Sequence, residues 1–292
     1  MHFLSIGEAM LELSEQAPLW AMNVAGDTLN TAWHLKRLAG DAADIAYFTA
    51  LGTDPFSARI EDFIAQAGLV TRFIRHEPTR GPGLYAISLR HGERSFTYWR
   101  DRSAARLLAD DGAALDAALG WADIAYVSGI TLAILAPEAR ERLIAALQSA
   151  RARGVKVAFD PNIRPRLWED ADTMRAVIMR AAGVADIVLP SFEDEAQHFG
   201  DASLEACAVR YGAQTGREVV VKNGGRDVLL AVEGRMIPHA LAPVEPVDTT
   251  GAGDAFNAGW LAARLQGLSP EASVERAHAL AVHVISRKGA LV

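Results

Sequence analysis

Short apolar runs alternate with amphipathic stretches along most of the 292 residues, and no other feature narrows the possible folds as far. His2–Glu8 and Ile45–Leu51 read as early strands, followed by Ile124–Val127, Val155–Asp160, Ile187–Leu189, Glu218–Lys222 and Asp227–Val232. Helical periods lie between them. Asp27 can cap a helix carrying Leu29, Ala32 and Trp33, with Gly40 beyond its end. Asp54-Pro55 opens another, in which Phe56, Ile60, Phe63 and Ile64 recur at helical spacing until Gly68. Pro137–Arg153, closed by Gly154, and Asp172–Ala182 continue the series. Repeated strand–helix–strand units predict an α/β fold, a mostly parallel central sheet with helices on both faces. Ligands of such sheets bind at the C-terminal strand ends, so polar residues just after strands gain weight.

One segment departs from the alternation. Gly83–Arg100 (GLYAISLRHGERSFTYWR) has the period of two antiparallel strands around a His91-Gly92 turn. That register sets Tyr85 against Tyr98 and Ile87 against Phe96, with Arg100 on the face of Tyr98. A small sheet added to an α/β body is expected to be a lid, an oligomer contact or an ordinary surface hairpin.

Half the residues are hydrophobic and 22% are charged, which excludes a disordered chain. No apolar run approaches the roughly 20 residues of a membrane span. Glu8 and Glu12 interrupt the apolar N-terminal stretch, which argues against a secretory signal and for the cytoplasm. The single cysteine, Cys207, rules out an intramolecular disulfide framework and reads as an inert small hydrophobe. The eight histidines form no metal-ligand spacing. A net charge of −7 argues against a nucleic-acid partner.

The densest chemical signal is Asp248-Thr249-Thr250-Gly251-Ala252-Gly253-Asp254-Ala255-Phe256, followed by an amphipathic stretch through Ala258, Leu261 and Ala262. A Gly-rich turn opening a helix aims unpaired amides at an anion. Asp254 in that position can take a proton from an attacking hydroxyl while the amides hold phosphoryl charge. A dinucleotide fingerprint would need a small residue where Phe256 stands, and a Walker loop would need Gly-Lys-Ser/Thr. An acidic helix start without function stays open on pattern alone.

DTTGAGDAF resembles the second signature of the ribokinase-like (PfkB) carbohydrate kinases, and Gly26-Asp27-Thr28-Leu29-Asn30-Thr31-Ala32 resembles their first. Over nearly the whole chain the similarity is closer still to the branch acting on 2-keto-3-deoxygluconate: GEAMLELS, GLYAISLRHGERSFTYWR and DPNIRPRLW all match its pattern. The resemblance implies a single ribokinase-like domain over 1–292, with a β lid from about 9–23 and 83–100. It implies Asp254 as catalytic base and the amides of Gly251, Ala252 and Gly253 as anion hole, with ATP and Mg2+ as cofactors. Gly26, Asp27 and Asn30 would meet sugar oxygens, Tyr85 and Tyr98 would wall the substrate, and Ile130 would close its apolar side. Arg100 and Arg164 would be the donors for a substrate carboxylate. Lys222, Asn223 and Gly225 would border the nucleotide, and Asp248 would join the phosphate network or simply cap its turn.

Two departures stand out. Pro190-Ser191-Phe192-Glu193-Asp194-Glu195 occupies the place of the family's Asn-x-x-Glu metal motif, leaving Asp194 or Glu195 to organise magnesium through water. Ala25 stands where relatives commonly carry glycine. The resulting expectation is ATP-dependent phosphorylation of 2-keto-3-deoxygluconate at its terminal hydroxyl, in a homo-oligomer formed through the lid. A kinase for a neutral sugar or for another keto-deoxy acid, a noncatalytic sugar-acid sensor and a dinucleotide-dependent oxidoreductase are the alternatives.

Overall fold

The computed structural model describes residues 1–292 except 17, 91–92 and 214–216, and leaves the side chains of 89–90 and 93–94 undescribed. The strands are β1 (His2–Ile6), β2 (Met10–Gln16), β3 (Leu19–Ala25), β4 (Asp44–Leu51), β5 (Ile74–His76), β6 (Gly83–Arg90), β7 (Glu93–Trp99), β8 (Ile124–Ser128), β9 (Lys156–Asp160), β10 (Ile187–Val188), β11 (Glu218–Lys222), β12 (Asp227–Val232) and β13 (Arg235–Ala240). The helices are α1 (Asp27–Ala39), α2 (Pro55–Gln66), α3 (Gly112–Trp121), α4 (Gly129–Ile134), α5 (Pro137–Ala152), α6 (Ala171–Val184), α7 (Phe192–Phe199), α8 (Leu204–Arg210), α9 (Ala252–Leu265) and α10 (Pro270–Ile285).

Nine strands form the large sheet in the order β13-β12-β11-β10-β9-β8-β1-β4-β5. All pairings from β11 to β5 are parallel, and only β12 and β13 turn back antiparallel. Buried on both sides, these strands send alternate residues to opposite faces. Leu4, Ala46 and Phe48 enter one core with residues of α3, α5 and α6, while Phe3, Ile45 and Tyr47 enter the other with α1, α2, α9 and α10. The expected layering is present, with element ends shifted by a residue or two. Asp54 caps α2 by accepting from the Phe56 and Ser57 amides, whereas Asp27 lies just inside α1, behind Gly26 as N-cap.

The second sheet has the order β3-β2-β6-β7. Tyr85 does face Tyr98 and Ile87 does face Phe96; the expected turn at His91-Gly92 lies outside the described residues. β2 and β6 run parallel, Met10 beside Gly83, so the hairpin is stitched to the segment that follows β1. β3 ends at Ala25 and α1 begins at Asp27, with Gly26 alone between them. Ala25 is not among the described residues with left-handed backbone, so alanine is accommodated there without strain. No described helix is long and apolar enough to cross a membrane.

Candidate active site

The C-terminal ends of β8, β9 and β11 and the N-termini of α1 and α9 converge on one group of carboxylates. Gly251 turns the chain into α9 with φ +75, and a Cβ there would stand 2.6 Å from Ala290 Cβ, so the turn requires glycine. The amides of Gly253 and Asp254 lie in the first turn of α9, where no intrahelical acceptor exists. The Ala252 amide differs from expectation: it donates to the Thr249 carbonyl at 3.2 Å and closes the turn.

Asp254 Oδ2 accepts from Asn30 Nδ2 at 2.8 Å, joining α9 to α1 across 224 residues of sequence. Burial, then the neighbouring charges of Asp27 and Asp160, push the Asp254 carboxyl up to about 8, against the opposing effects of Asn30 and Lys222. Asp27 is raised in the same direction, chiefly by burial. Its Oδ2 accepts from Asn162 Nδ2 at 2.9 Å. Asn162 holds a left-handed backbone, φ 33, and its own amide donates to Asp160 Oδ1 at 2.9 Å. Asp160 Oδ2 takes Lys222 Nζ at 3.1 Å and also the Asn257 carboxamide, which reaches Tyr126 Oη at 3.1 Å. Thr31 Oγ1 donates to that same Tyr126 Oη at 3.4 Å and to the Asp254 carbonyl at 3.3 Å. Asn162, Asn257, Tyr126, Thr31 and Asp160 were not singled out from the sequence, yet they hold the carboxylates in place.

The nucleotide-side residues fall near one another with altered tasks. Lys222, 8% exposed, is tied to Asp160 and to Asn257 Oδ1 at 3.0 Å, beneath the Gly251–Asp254 turn. Asn223 and Gly225 (φ 82) build the turn from β11 into β12, the Asn223 carboxamide donating to Asp227. Asp248 accepts from the Thr250 amide at 2.9 Å and the Gly289 amide at 2.8 Å, so it fastens the turn to the C-terminal segment.

Glu195 is a correction. It is fully buried and points into a cluster away from the cleft, accepting from Arg210 Nη2 at 2.8 Å and Tyr211 Oη at 2.9 Å. Glu195, Asp201 and Cys207 bring ligand atoms within 4.8 Å of one another, but the Arg210 guanidinium already holds Asp201 at 2.5 Å. Burial drives the Glu195 carboxyl up to about 7 and the Cys207 thiol upward as well. Asp194 lies near the carboxylate group, 3.7 Å from Arg164 Nη1. Its carboxyl is raised by burial first and then by Asp160, against Arg164, His198 and Lys222.

The two arginines are not brought together by any hydrogen bond or ion pair among the described residues. Arg164 follows β9, is half exposed, and donates to its neighbour's Ile163 carbonyl at 2.7 Å. Arg100 is 6% exposed and pairs with Glu8. Tyr85 is buried against Glu12, whereas Tyr98 is half exposed with its ring centroid 5.7 Å from that of Tyr85. Ile130, in the first turn of α4, packs on the core behind β8. Gly26 passes directly over Glu8, where a Cβ would lie 2.2 Å from the carbonyl oxygen. A cleft of about 1030 Å³ flanks the site between β3, α2 and residues 288–291, but none of Asp27, Asp160 and Asp254 lines it.

Residues 4–292 match the sequence profile described as pfkB family carbohydrate kinase. A 2-dehydro-3-deoxygluconokinase of Escherichia coli (strain K12) is 40% identical over 295 residues, covering 98% of this chain and 96% of its own. Another from Dickeya dadantii (strain 3937) is 38% identical over 295 residues, covering 98% and 95%. The structure of a fructokinase from Xylella fastidiosa with bound ATP superimposes with a TM-score of 0.85 at 26% identity, over 99% of this chain and 94% of that one.

A carboxyl whose folded pKa exceeds its unfolded value takes up a proton on folding, so its ionisation costs stability as pH rises. For Asp254 that cost grows between 3.8 and about 8. Asp254→Asn keeps an oxygen for Asn30 and removes the charge. Thermal melts should show the variant more stable than wild type by roughly 2–4 °C at pH 8 and nearly equal at pH 4. Equal melting temperatures at both pH values would contradict the crowding of charge described above.

Proposed function

The chain belongs to the pfkB family of carbohydrate kinases, and we propose that it transfers the γ-phosphoryl group of ATP to the terminal hydroxyl of 2-keto-3-deoxygluconate, giving the 6-phosphate. Asp254 carries the reading. It is a carboxylate with a strongly raised proton affinity in the first turn of a helix whose N-terminal amides lack intrahelical acceptors. It receives the proton of the attacking hydroxyl, while the amides at the start of α9 stabilise charge on the transferring group. Phosphoryl transfer asks mainly for alignment and charge neutralisation, and the network supplies both.

Asp27 and Asn30 hold sugar hydroxyls, and Asn162 fixes the direction of the Asp27 carboxylate. Tyr85 and Tyr98 wall the substrate from the small sheet, which acts as a lid over the cleft and excludes water. Arg164, half exposed and only 3.7 Å from a single carboxylate, is the cation best placed to turn toward a substrate carboxylate. Magnesium fits the donor set, because Asp160, Asp194, Asp27 and Asp254 outnumber the one lysine that hydrogen-bonds among them. Asp194 and Asp160 would hold it through water, and when bound it neutralises phosphate charge. We place the enzyme in the cytoplasm, where ATP is supplied.

Turnover with ATP and magnesium across keto-deoxy acids and neutral ketoses tests the substrate. The acid should be preferred, and Arg164→Ala should lower that preference by about 30-fold or more, the scale of truncating one partner of a charged contact. Preference for fructose in the wild type would make the chain a neutral-sugar kinase. No ADP release despite tight sugar-acid binding would make it a sensor.

Asn162→Ala should raise KM for the sugar by about 10-fold, the loss of one hydrogen bond to a charged group, with KM for ATP unchanged. Asn162→Gly, which keeps the left-handed backbone, should do the same. Full activity in the glycine variant would assign the role to the backbone rather than the carboxamide.

The outer part of the small sheet exposes Leu19 (71%), Trp20 (46%), Phe96 (44%) and Trp99 (56%). Leu19 and Trp20 lie on edge strand β3 and Phe96 and Trp99 on the opposite edge strand β7; exposed apolar groups on open sheet edges invite covering, and a second copy of this sheet is the natural cover. Light scattering at tens of micromolar should report two or more chains, and Trp99→Asp should shift the population toward one. A monomeric wild type would remove the lid contact from this reading.

A further inference from the structure

Arg100 ends the β6–β7 hairpin and Glu8 follows β1, so their side chains meet where the small sheet joins the large one. Both side chains are withdrawn from water, 6% and 1% exposed. Arg100 Nη2 donates to Glu8 Oε2, while Arg100 Nε and Glu8 Oε1 are buried without a partner. The surrounding backbone is shaped for the carboxylate. A Cβ on Gly83, the first residue of β6, would stand 2.7 Å from Glu8 Oε1. Gly26, at the start of α1, leans on the Glu8 carbonyl. Glu8 thus touches both segments that carry substrate-facing residues.

A buried arginine without a counter-charge is costly, and an unpaired donor beside an unpaired acceptor is rarely left in a protein core without a reason. We propose that Glu8 is the positioning residue for Arg100, and thereby a determinant of specificity for sugar acids. Glu8 holds the guanidinium in one orientation and cancels most of its charge. Arg100 then recognises the substrate as a directional hydrogen-bond donor, and Arg164 supplies the unbalanced positive charge. The inference rests on the sugar-acid reading given under Proposed function.

Kinetics with 2-keto-3-deoxygluconate and ATP test it. Glu8→Ala should raise KM for the acid by about 10–100-fold, the effect of freeing one member of a buried charged contact, with kcat and KM for ATP within about 3-fold. Glu8→Gln retains an acceptor for Arg100 and should recover most of the loss. Combining Glu8→Ala with Arg100→Ala should cost little more than Arg100→Ala alone, because the two act as one unit. Gly83→Ala crowds Glu8 Oε1 without removing a charge. It should raise the same KM by about 3–10-fold, and it serves if Glu8→Ala does not fold.

Additive effects, or losses in KM for ATP and kcat that match the loss in KM for the acid, would show a purely structural role and overturn the proposal. A wild type that ignores the acid and phosphorylates neutral ketoses refutes the substrate reading instead. A wild type active on the acid, with unchanged KM in Glu8→Ala and Gly83→Ala, refutes only the role of Glu8.

Discussion

Crowding of negative charge at the ends of β9 and α9 is the constraint on which the site depends. Burial and the nearby charges of Asp27 and Asp160 raise the cost of ionising Asp254, burial and Asp160 raise that of Asp27, and among the described residues Lys222 is hydrogen-bonded into the group. The protein manages this with carboxamides rather than further cations. Asn30, Asn162 and Asn257 each give an N–H to a different aspartate, which fixes geometry without neutralising charge. Such a site is poor as a folding element and good as a receptor for a proton and a metal-bound phosphate, the usual exchange of stability for activity.

Parallel topology makes the crowding possible. Each strand from β11 to β5 delivers its last residue to the same edge, so Ser128 and Asp160 arrive as neighbours with Lys222 two strands beyond, although several helices separate them in the chain. The two helices that supply Asp27 and Asp254 pack on one face of that sheet, against the core that includes Tyr126 and Trp260. Tyr126 and Thr31 then carry the contact from the buried core to Asp254, whose position is thereby set by buried groups.

The alternation of strands and helices, the pairing of Tyr85 with Tyr98 and the glycine turn before Asp254 could all be read from residue order, because each is written in local spacing. The supporting groups could not. Asn257 and Tyr126 sit within apolar stretches that look like plain core, and their partners lie 97 and 131 residues away in the bonds that define them. Asn162 had a weak local signal, a short polar residue after Asp-Pro, suited to a left-handed turn. Glu8 was visible as an interruption of an apolar run, which says that it is unusual but not what it faces. Glu195 shows the opposite failure. Three consecutive acids in the first turn of α7 point in different directions around a helix, and only packing decides that Asp194 meets Arg164 while Glu195 meets Arg210.

The direct passage from β3 into α1 limits how this enzyme can be rebuilt. With one residue, Gly26, between the small sheet and the helix that carries Asp27 and Asn30, and with β2 zipped in parallel to β6, the small sheet has no slack joint at which to cut. A recombinant that exchanged only the hairpin with a relative of different substrate would import new walls onto an old floor. The transferable unit is larger: it runs from the end of β1 through α1 and includes the hairpin, two distant stretches of chain that must be inherited together.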